Sequence, residues 1–137
     1  MHFTIPISQR LNKLVRSLQQ RKFRDQNNMF LAEGVKLCQE LLHSDYETEL
    51  IVIRDYPSAD IVKLAEAFSE NMVPVYTAPK TQFDQITNTK TPQGIIAVVC
   101  KKENQVIKNK PFIALDAVSD PGNIGTIIRT AEWFGIP

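Results

Sequence analysis

The sequence has few of the residues that form disulfides or metal sites, and it has no apolar run long enough to span a membrane. Its 137 residues include two cysteines and two histidines, with no cluster at metal-ligand spacing. Cys38 and Cys100 are far apart and each lies in an apolar stretch, which indicates buried, reduced thiols rather than a disulfide. A membrane span needs roughly 18 consecutive apolar residues, and Met1–Pro6 shows no signal-peptide pattern. The sequence therefore predicts a cytoplasmic protein with no metal site and no membrane association.

Nucleotide-binding fingerprints are also absent. The glycines that could begin a phosphate-binding helix are Gly122 and Gly125, and their surroundings match neither GxGxxG nor GxxxxGK(S/T). A helix start can bind phosphate without either pattern, so a phosphate-binding role stays open at this point.

Positive charge is concentrated at one end of the chain, although the net charge is only +1. Residues 1–36 hold seven Lys or Arg residues against two acidic ones, whereas the remainder holds nine against thirteen. Like charges gathered in this way are typical of a surface that binds a polyanion. A solvated helix face would show the same pattern, so both interpretations remain.

Strand-like and helix-like stretches alternate over residues 8–100. Ser8 and Ser58 are placed to cap helices whose apolar residues recur every three or four positions. Arg10, Lys13 and Arg16 fall away from the apolar stripe of the first helix. The predicted buried face of the second consists of Ile61, Leu64, Ala65 and Phe68. Residues 25–28 are typical of a polar turn, and residues 30–34 fit either a short strand or the entry of a helix. The other predicted elements are strands at 49–54, 73–76 and 94–100 and helices at 35–43 and 80–87. This alternation predicts an α/β fold.

A second α/β unit is predicted after residue 100. Residues 101–111 are polar and charged and end in proline, which predicts an interdomain linker. A buried strand is expected at Phe112–Asp116, followed by a turn-rich loop at Ser119–Asn123. A strand–helix–strand crossover needs a second strand, which does not follow here, so we expect a chain that is cut within this unit.

The predicted C-terminal helix carries an arginine and a tryptophan on one face. It spans Ile124–Phe134, with Asn123 as its N-cap and Gly135 just past its end. At about 100° per residue, most of its aliphatic residues share one face, and Arg129 and Trp133 lie on the other. Arg129 could be a solvated residue paired with the glutamate three positions on, but an exposed tryptophan beside it indicates a surface that another molecule covers. Asn123 could act as a cap alone or as a direct ligand.

The residues 115–136, LDAVSDPGNIGTIIRTAEWFGI, resemble the first signature motif of the SpoU (TrmH-like) branch of the SPOUT RNA methyltransferases. The shared pattern is D-P-G-N-x-G-x-x-x-R-T-A-x-x-F-G. Three earlier stretches, Ser8–Arg24, Phe30–Gly34 and Ile86–Ile95, are similar to the substrate-binding domain that precedes the catalytic domain in many members. The resemblance therefore covers most of the chain.

The resemblance implies both a fold and an activity. The implied fold is α/β, with a three-layer α/β/α ribosomal-protein-like RNA-binding domain at residues 1–100 and a linker at 101–111. Residues 112–137 would be the first strand and helix of a truncated, knotted SPOUT methyltransferase domain. The implied activity is S-adenosylmethionine-dependent methylation of ribose 2′-hydroxyls in rRNA or tRNA. In this pattern the arginine matching Arg129 acts on the target hydroxyl, directly or with the RNA phosphate, and Asn123 helps to build the same pocket.

The RNA would be held by the basic residues of the N-terminal third. Such contacts suit guanidinium and ammonium groups, which bind phosphate oxygens. Lys101 and Lys102 are candidate helpers. The predicted RNA-binding residues are Arg10, Lys13, Arg21, Lys22 and Arg24.

The family's second and third motifs shape the cofactor pocket and the knot, and they lie downstream of the first. Because this sequence contains neither, we expect this chain alone to bind no cofactor and to be inactive. The full-length enzyme would use S-adenosylmethionine and form a homodimer, while the oligomeric state of these 137 residues stays open. The alternative is a stand-alone RNA- or protein-binding module without catalysis.

Overall fold

The computed structural model describes residues 5–103 and 109–136, which fall in two compact units, Met1–Lys102 and Glu103–Pro137. Among the described residues, the first unit contains a four-stranded sheet and five helices, and the second contains one helix. Part of the predicted linker, residues 104–108, lies outside the described residues. No described helix is long and apolar enough to cross a membrane.

The elements follow the predicted alternation and confirm the α/β class. The strands are β1 (Met29–Glu33), β2 (Thr48–Arg54), β3 (Val75–Ala78) and β4 (Ile95–Cys100). The helices are α1 (Gln9–Ser17), α2 (Arg21–Asn27), α3 (Val35–Leu42), α4 (Ala59–Glu70), α5 (Lys80–Ile86) and α6 (Pro121–Trp133).

The sheet has the order β1-β4-β2-β3, with β4 antiparallel to both of its neighbours and β2 parallel to β3. Ala97 of β4 lies opposite Ala32 of β1 and Ile51 of β2. In the same register Glu33 pairs with Ile96, so the carboxyl end of β1 meets the start of β4. Residues 30–34, which the sequence left undecided, are therefore an edge strand and its exit.

Two apolar cores lie on opposite faces of the sheet because successive strand residues point to opposite sides. Ile95, Ala97 and Val99 of β4 pack in the core that includes α3 and α4, and Ile96 and Val98 pack in the core that includes α1 and α5. All five are at most 1% exposed. Full burial of one such Ile or Val side chain is worth roughly 1.5–3 kcal/mol, so this strand alone is a major source of stability.

A second helix, α2, follows α1 and includes residues 25–27. The sequence predicted a polar turn at residues 25–28 instead. That prediction was wrong for all but the last residue, Asn28, which ends α2 in the left-handed conformation with φ 53°. Two interactions stabilise this short helix: Asn27 Nδ2 donates to the Phe23 carbonyl at 2.8 Å, and Arg21 pairs with Asp25 at 3.6 Å. Polar residues thus form the last turn of a helix as readily as they form a loop, so composition alone did not distinguish a helix end from a turn.

The C-terminal helix begins earlier than predicted. Asp120, not Asn123, is the N-cap, and its Oδ2 accepts the Asn123 N–H at 2.8 Å. Pro121 occupies the first helical position, where its fixed φ and missing N–H are tolerated. The predicted role of Gly135 is confirmed: it has φ +69°, and its N–H and that of Ile136 bond the carbonyls of the last turn at 2.9 Å.

The strand predicted at Phe112–Asp116 is not formed. The structure describes these residues as an irregular segment, with Phe112 78%, Ile113 47% and Leu115 45% exposed. A strand needs a neighbour for its backbone N–H and C=O groups, and among the described residues of this unit there is no other strand. Local β-propensity was therefore insufficient to form the element.

Both cysteines are free, as the sequence predicts, but only Cys38 is buried; Cys100, at the end of β4, is partly exposed, so its predicted burial was wrong. Burial raises the pKa of the Cys38 thiol to about 12, so its reactive thiolate form is scarce at neutral pH. We expect iodoacetamide to modify Cys100 but not Cys38 in the native protein, and both after denaturation, as peptide mass spectrometry would show. Equal labelling of both sites under native conditions would contradict this packing.

Candidate functional site

Exposed cations cover the outer side of α1 and α2. Arg10 and Lys13 are exposed on α1, whose opposite side buries Val15. Arg21 and Lys22 are exposed at the start of α2. Arg10 and Lys13 lie away from the apolar stripe of α1, as predicted. We call α1 and α2 the basic helix pair.

Arg24 differs from the other cations of the basic helix pair. It is half-buried, and its Nη1 donates to the carbonyls of Leu18 at 3.1 Å and Gln19 at 2.7 Å. The last carbonyls of a helix have no partner within the helix, and a cation is favourable at that end. Arg24 therefore caps α1 and holds α2 against it, in addition to any contact it makes outside the protein.

Asp25 forms ion pairs with two basic residues, Arg21 and Lys101. Its carboxylate accepts Lys101 Nζ at 2.5 Å and pairs with Arg21 Nε at 3.6 Å. The hydrogen bond from Lys101 is the main cause that lowers the pKa of the Asp25 carboxyl. Lys102 is also engaged, since it pairs with Asp45 and lies 4.5 Å from the centre of the Tyr46 ring. The two lysines proposed as helpers thus have partners within the first unit.

A second site, which sequence analysis did not single out as one, lies at the carboxyl end of β1. Glu33 accepts hydrogen bonds from Thr87 Oγ1 at 2.6 Å and from the Asn88 N–H at 2.9 Å. Gln93 Oε1 accepts the Val35 N–H at 2.8 Å, which caps the start of α3. These contacts join β1 to the loop of residues 87–94, although 54 or more positions separate the partners.

Gly34 makes that junction possible. It has φ +98° and ψ 159°, a region open essentially to glycine alone. A Cβ built there would lie 2.7 Å from Gln93 Oε1. The close approach of the loop to β1 therefore requires a residue without a side chain at this position.

An open cavity of about 320 Å³ lies at the junction of β1 with the loop of residues 87–94, and we call it the loop pocket. Its inner surface is apolar and includes Phe83 and Ile95, each 1% exposed. Its rim is polar and includes the hydroxyls of Thr89 and Thr91 and the side chain of Lys36. An apolar floor with a few convergent polar groups is the usual form of a small-molecule or nucleobase site.

The polar face of α6 carries the residues predicted to act in catalysis. Arg129 is exposed, and its Nη2 donates to Thr126 Oγ1 at 3.4 Å. Within the described part of the chain, Arg129 forms no ion pair, so the alternative pairing with Glu132 is not observed. Trp133 is 85% exposed and lines a shallow groove with Arg129. Asn123 does not act as the cap, and its side chain is exposed beside the helix start.

The opposite face of the second unit is apolar. A groove of about 450 Å³ runs between the irregular segment and α6, with Ile113 and Leu115 on one side and Ile127, Ala131 and Ile136 on the other. Much of this surface remains accessible, since Ile128 beside it is 58% exposed.

Ligand-type atoms of Glu47, Glu49 and Cys100 lie within 4.8 Å of one another, a grouping that sequence spacing did not reveal. It arises where β2 changes register against β4 between Thr48 and Leu50. Burial and then the two carboxylates raise the pKa of the Cys100 thiol. A protonated thiol is a poor metal ligand, so this grouping does not constitute a metal centre by itself.

Comparison with known proteins identifies the family. Residues 12–97 match the MRM3-like substrate binding domain. The chain is 35% identical over 124 residues to the 23S rRNA (guanosine(2553)-2′-O)-methyltransferase RlmP of Bacillus subtilis, covering 88% of this chain and 46% of that protein.

Solved structures agree with this result. An AdoMet-bound rRNA methyltransferase from Sinorhizobium meliloti superposes with a TM-score of 0.72 and 27% identity, over 95% of this chain and 50% of the other. A putative RNA methyltransferase of the TrmH family from Porphyromonas gingivalis gives 0.67 and 32%, with the same coverage. The chain thus spans about half the length of the proteins it matches. The predicted relationship to the SpoU (TrmH-like) family is confirmed, and the chain belongs to the MRM3-like substrate-binding domain family.

Proposed function

We propose that this chain provides the RNA-binding domain and the first catalytic motif of an S-adenosylmethionine-dependent RNA 2′-O-ribose methyltransferase. The observation that carries the proposal is the order of two parts along one chain: a substrate-binding domain over residues 12–97, then the D-P-G-N motif and a helix that presents Arg129 on its exposed face. The substrate is RNA, with rRNA supported by the names of the relatives. The cytoplasmic location and the homodimer implied by the resemblance remain predictions.

In this proposal the first unit is a three-layer α/β/α RNA-binding domain. Support comes from the two cores, since α3 and α4 cover one face of the sheet and α1 and α5 cover the other. RNA phosphates bind the basic helix pair through Arg10, Lys13, Arg21 and Lys22, whose charged groups face solvent. Arg24 contributes chiefly by fixing the two helices together, because its guanidinium already bonds the carbonyls of Leu18 and Gln19, the two residues directly after α1.

Arg129 and Asn123 serve the chemistry at the ribose. A 2′-hydroxyl is a weak nucleophile and must lose its proton as it is methylated. A guanidinium is a poor base at neutral pH, but it can bind phosphate bidentately and stabilise a developing alkoxide. Trp133 lies beside Arg129, where an RNA surface would cover it. The exposed amide of Asn123 completes the polar side of the helix start.

The described residues of the second unit do not by themselves fit S-adenosylmethionine. The groove beside Trp133 is lined by Arg129, whose positive charge repels the sulfonium of the cofactor. The other groove is an open apolar surface, and Glu132 is the charged residue of its lining that could bind the cofactor's amino acid moiety. The proposal therefore assigns no cofactor-binding residue to this chain.

The RNA-binding part is tested by removing matched pairs of lysines. Each phosphate contact contributes about 0.7–0.9 to the slope of log affinity against log salt. The Lys13→Ala/Lys22→Ala variant should therefore bind rRNA transcripts more weakly at low salt and lower the slope by roughly 1.4–1.8. The control is Lys63→Ala/Lys80→Ala, which removes the same charges from exposed positions on α4 and α5.

Filter binding or fluorescence anisotropy over a salt series gives both numbers. Equal slopes for the two variants would contradict a specific role of the basic helix pair. A parent chain that binds no RNA at low salt would favour the alternative, a module that binds protein.

A further inference from the structure

We infer that the loop pocket takes one unstacked nucleotide of a single-stranded RNA segment. The inference deepens the proposed function and rests on it: the basic helix pair supplies general phosphate contacts, and the loop pocket supplies a site for one base. The pocket lies at the exit of β1, where the loop of residues 87–94 closes over Gly34.

The size and lining of the loop pocket suit a base. A volume of about 320 Å³ is near the lower limit for small-ligand sites, roughly 300 Å³, and is far too small for a duplex. The exposed side chain of Leu37 offers an apolar surface to a flat ring, and the buried side chains of Phe83 and Ile95 support the floor from beneath. The rim offers the hydroxyl of Thr91, which can donate and accept hydrogen bonds, and that of Thr89, which is paired with Thr87 Oγ1 at 3.0 Å and can still accept one. Base edges in single-stranded RNA are read by such groups.

The charge distribution favours a nucleotide rather than an anionic metabolite that binds deep in the cavity. Glu33 is the acidic residue of the lining, and both of its carboxylate oxygens already accept hydrogen bonds, from Thr87 and Asn88. The cation of the lining is Lys36, whose side chain is exposed at the mouth. A nucleotide matches this arrangement if its base lies on the apolar floor and its phosphate lies at the mouth beside Lys36.

The loop is held in place before any ligand binds. Thr87 Oγ1 lies 3.0 Å from Thr89 Oγ1 and accepts the Thr89 N–H at 3.2 Å. Together with the two bonds to Glu33 and the bond from Val35 to Gln93, these contacts fix the loop at both ends. A preformed site loses less conformational entropy on binding than a mobile one.

The test replaces a hydroxyl with a methyl group of similar size. We expect Thr91→Val, which leaves the Thr87–Thr89 contact of the loop intact, to weaken binding of the 137-residue chain to short hairpin transcripts of rRNA by about fivefold, the loss of one ordinary hydrogen bond. The salt slope should stay unchanged because no phosphate contact is removed. Thr81→Val, an exposed threonine on α5 outside the pocket, is the matched control and should bind as the parent does.

Lys36→Ala should do the opposite, lowering the salt slope by about 0.7, the value for one contact to a single strand. The same transcripts annealed into full duplexes should bind equally well to the parent and the Thr91→Val variant. Unchanged hairpin affinity in that variant would overturn the inference, as would an equal loss on hairpin and duplex. In either case the proposed RNA binding would still stand if Lys13→Ala/Lys22→Ala bound RNA more weakly than the parent. A parent that binds no RNA would overturn both the proposed function and the pocket inference.

Discussion

Replacing Gly34 with alanine should destabilise the first unit by about 2–4 kcal/mol, the sum of backbone strain and a lost hydrogen bond. At φ +98° an L-residue is strained wherever its side chain points. The new methyl would also approach Gln93 Oε1 to 2.7 Å and displace the acceptor of the Val35 N–H. Denaturant unfolding followed by far-UV circular dichroism measures the loss.

Two further variants separate the causes of the Gly34 effect. Gly125→Ala is the matched control, because nothing lies within 4 Å of a Cβ there and alanine is the better helix former by about 1 kcal/mol. In a Gln93→Ala background, Gly34→Ala should cost less than in the parent, since the clash is gone and only the strain remains. A Gly34→Ala protein that unfolds at the same denaturant concentration as the parent would show that the close approach is not required.

The fold of the first unit was largely predictable because its signals are local. The buried face predicted for the helix after Ser58 consists of Ile61, Leu64, Ala65 and Phe68, and all four are buried in α4. Periodicity determines which side of an element faces the core, whatever the element packs against. The same reasoning placed Arg10 and Lys13 on the exposed side of α1.

Errors arose where neighbouring residues compete for one role. Asn, Asp and Ser are nearly equivalent as N-caps, so Ser119, Asp120 and Asn123 were all eligible to begin α6. Pro121 decides between them, because proline suits the first helical position that Asp120 precedes. The strand expected at residues 112–116 failed for a different reason, since strand formation depends on a partner that no local pattern reports.

The loop pocket could not be derived from sequence because its parts meet only through strand pairing. Glu33 and Thr87 come together after β1 pairs with β4, which brings the exit of one strand to the start of the other. The stretches Phe30–Gly34 and Ile86–Ile95 both resemble the family's substrate-binding domain, yet nothing in their spacing along the sequence indicates a cavity. The structure therefore adds a candidate specificity site to a chain whose charge pattern suggested only phosphate binding.

Phe83 links that site to the stability of the domain. It is 1% exposed in the core between α1, α5 and the sheet, and it also forms part of the pocket floor. Phe83→Ala should cost about 3–5 kcal/mol in the free energy of unfolding, the usual loss for a fully buried phenylalanine. It should also weaken RNA binding, because the floor of the loop pocket loses the buried side chain that supports it.

Phe68→Ala provides the matched comparison. Phe68 is 2% exposed in the other core and does not itself line the loop pocket, and its truncation should cost a similar free energy of unfolding. Denaturant unfolding gives the stabilities, and hairpin affinity is then measured at a low temperature where both variants are folded. Phe83→Leu retains most of the side-chain volume and guards against a Phe83→Ala protein that does not fold. We expect both Phe83 variants to bind hairpins more weakly than Phe68→Ala, with the leucine variant affected less. Equal affinities for all three would mean that Phe83 acts in the core alone and does not support the loop pocket.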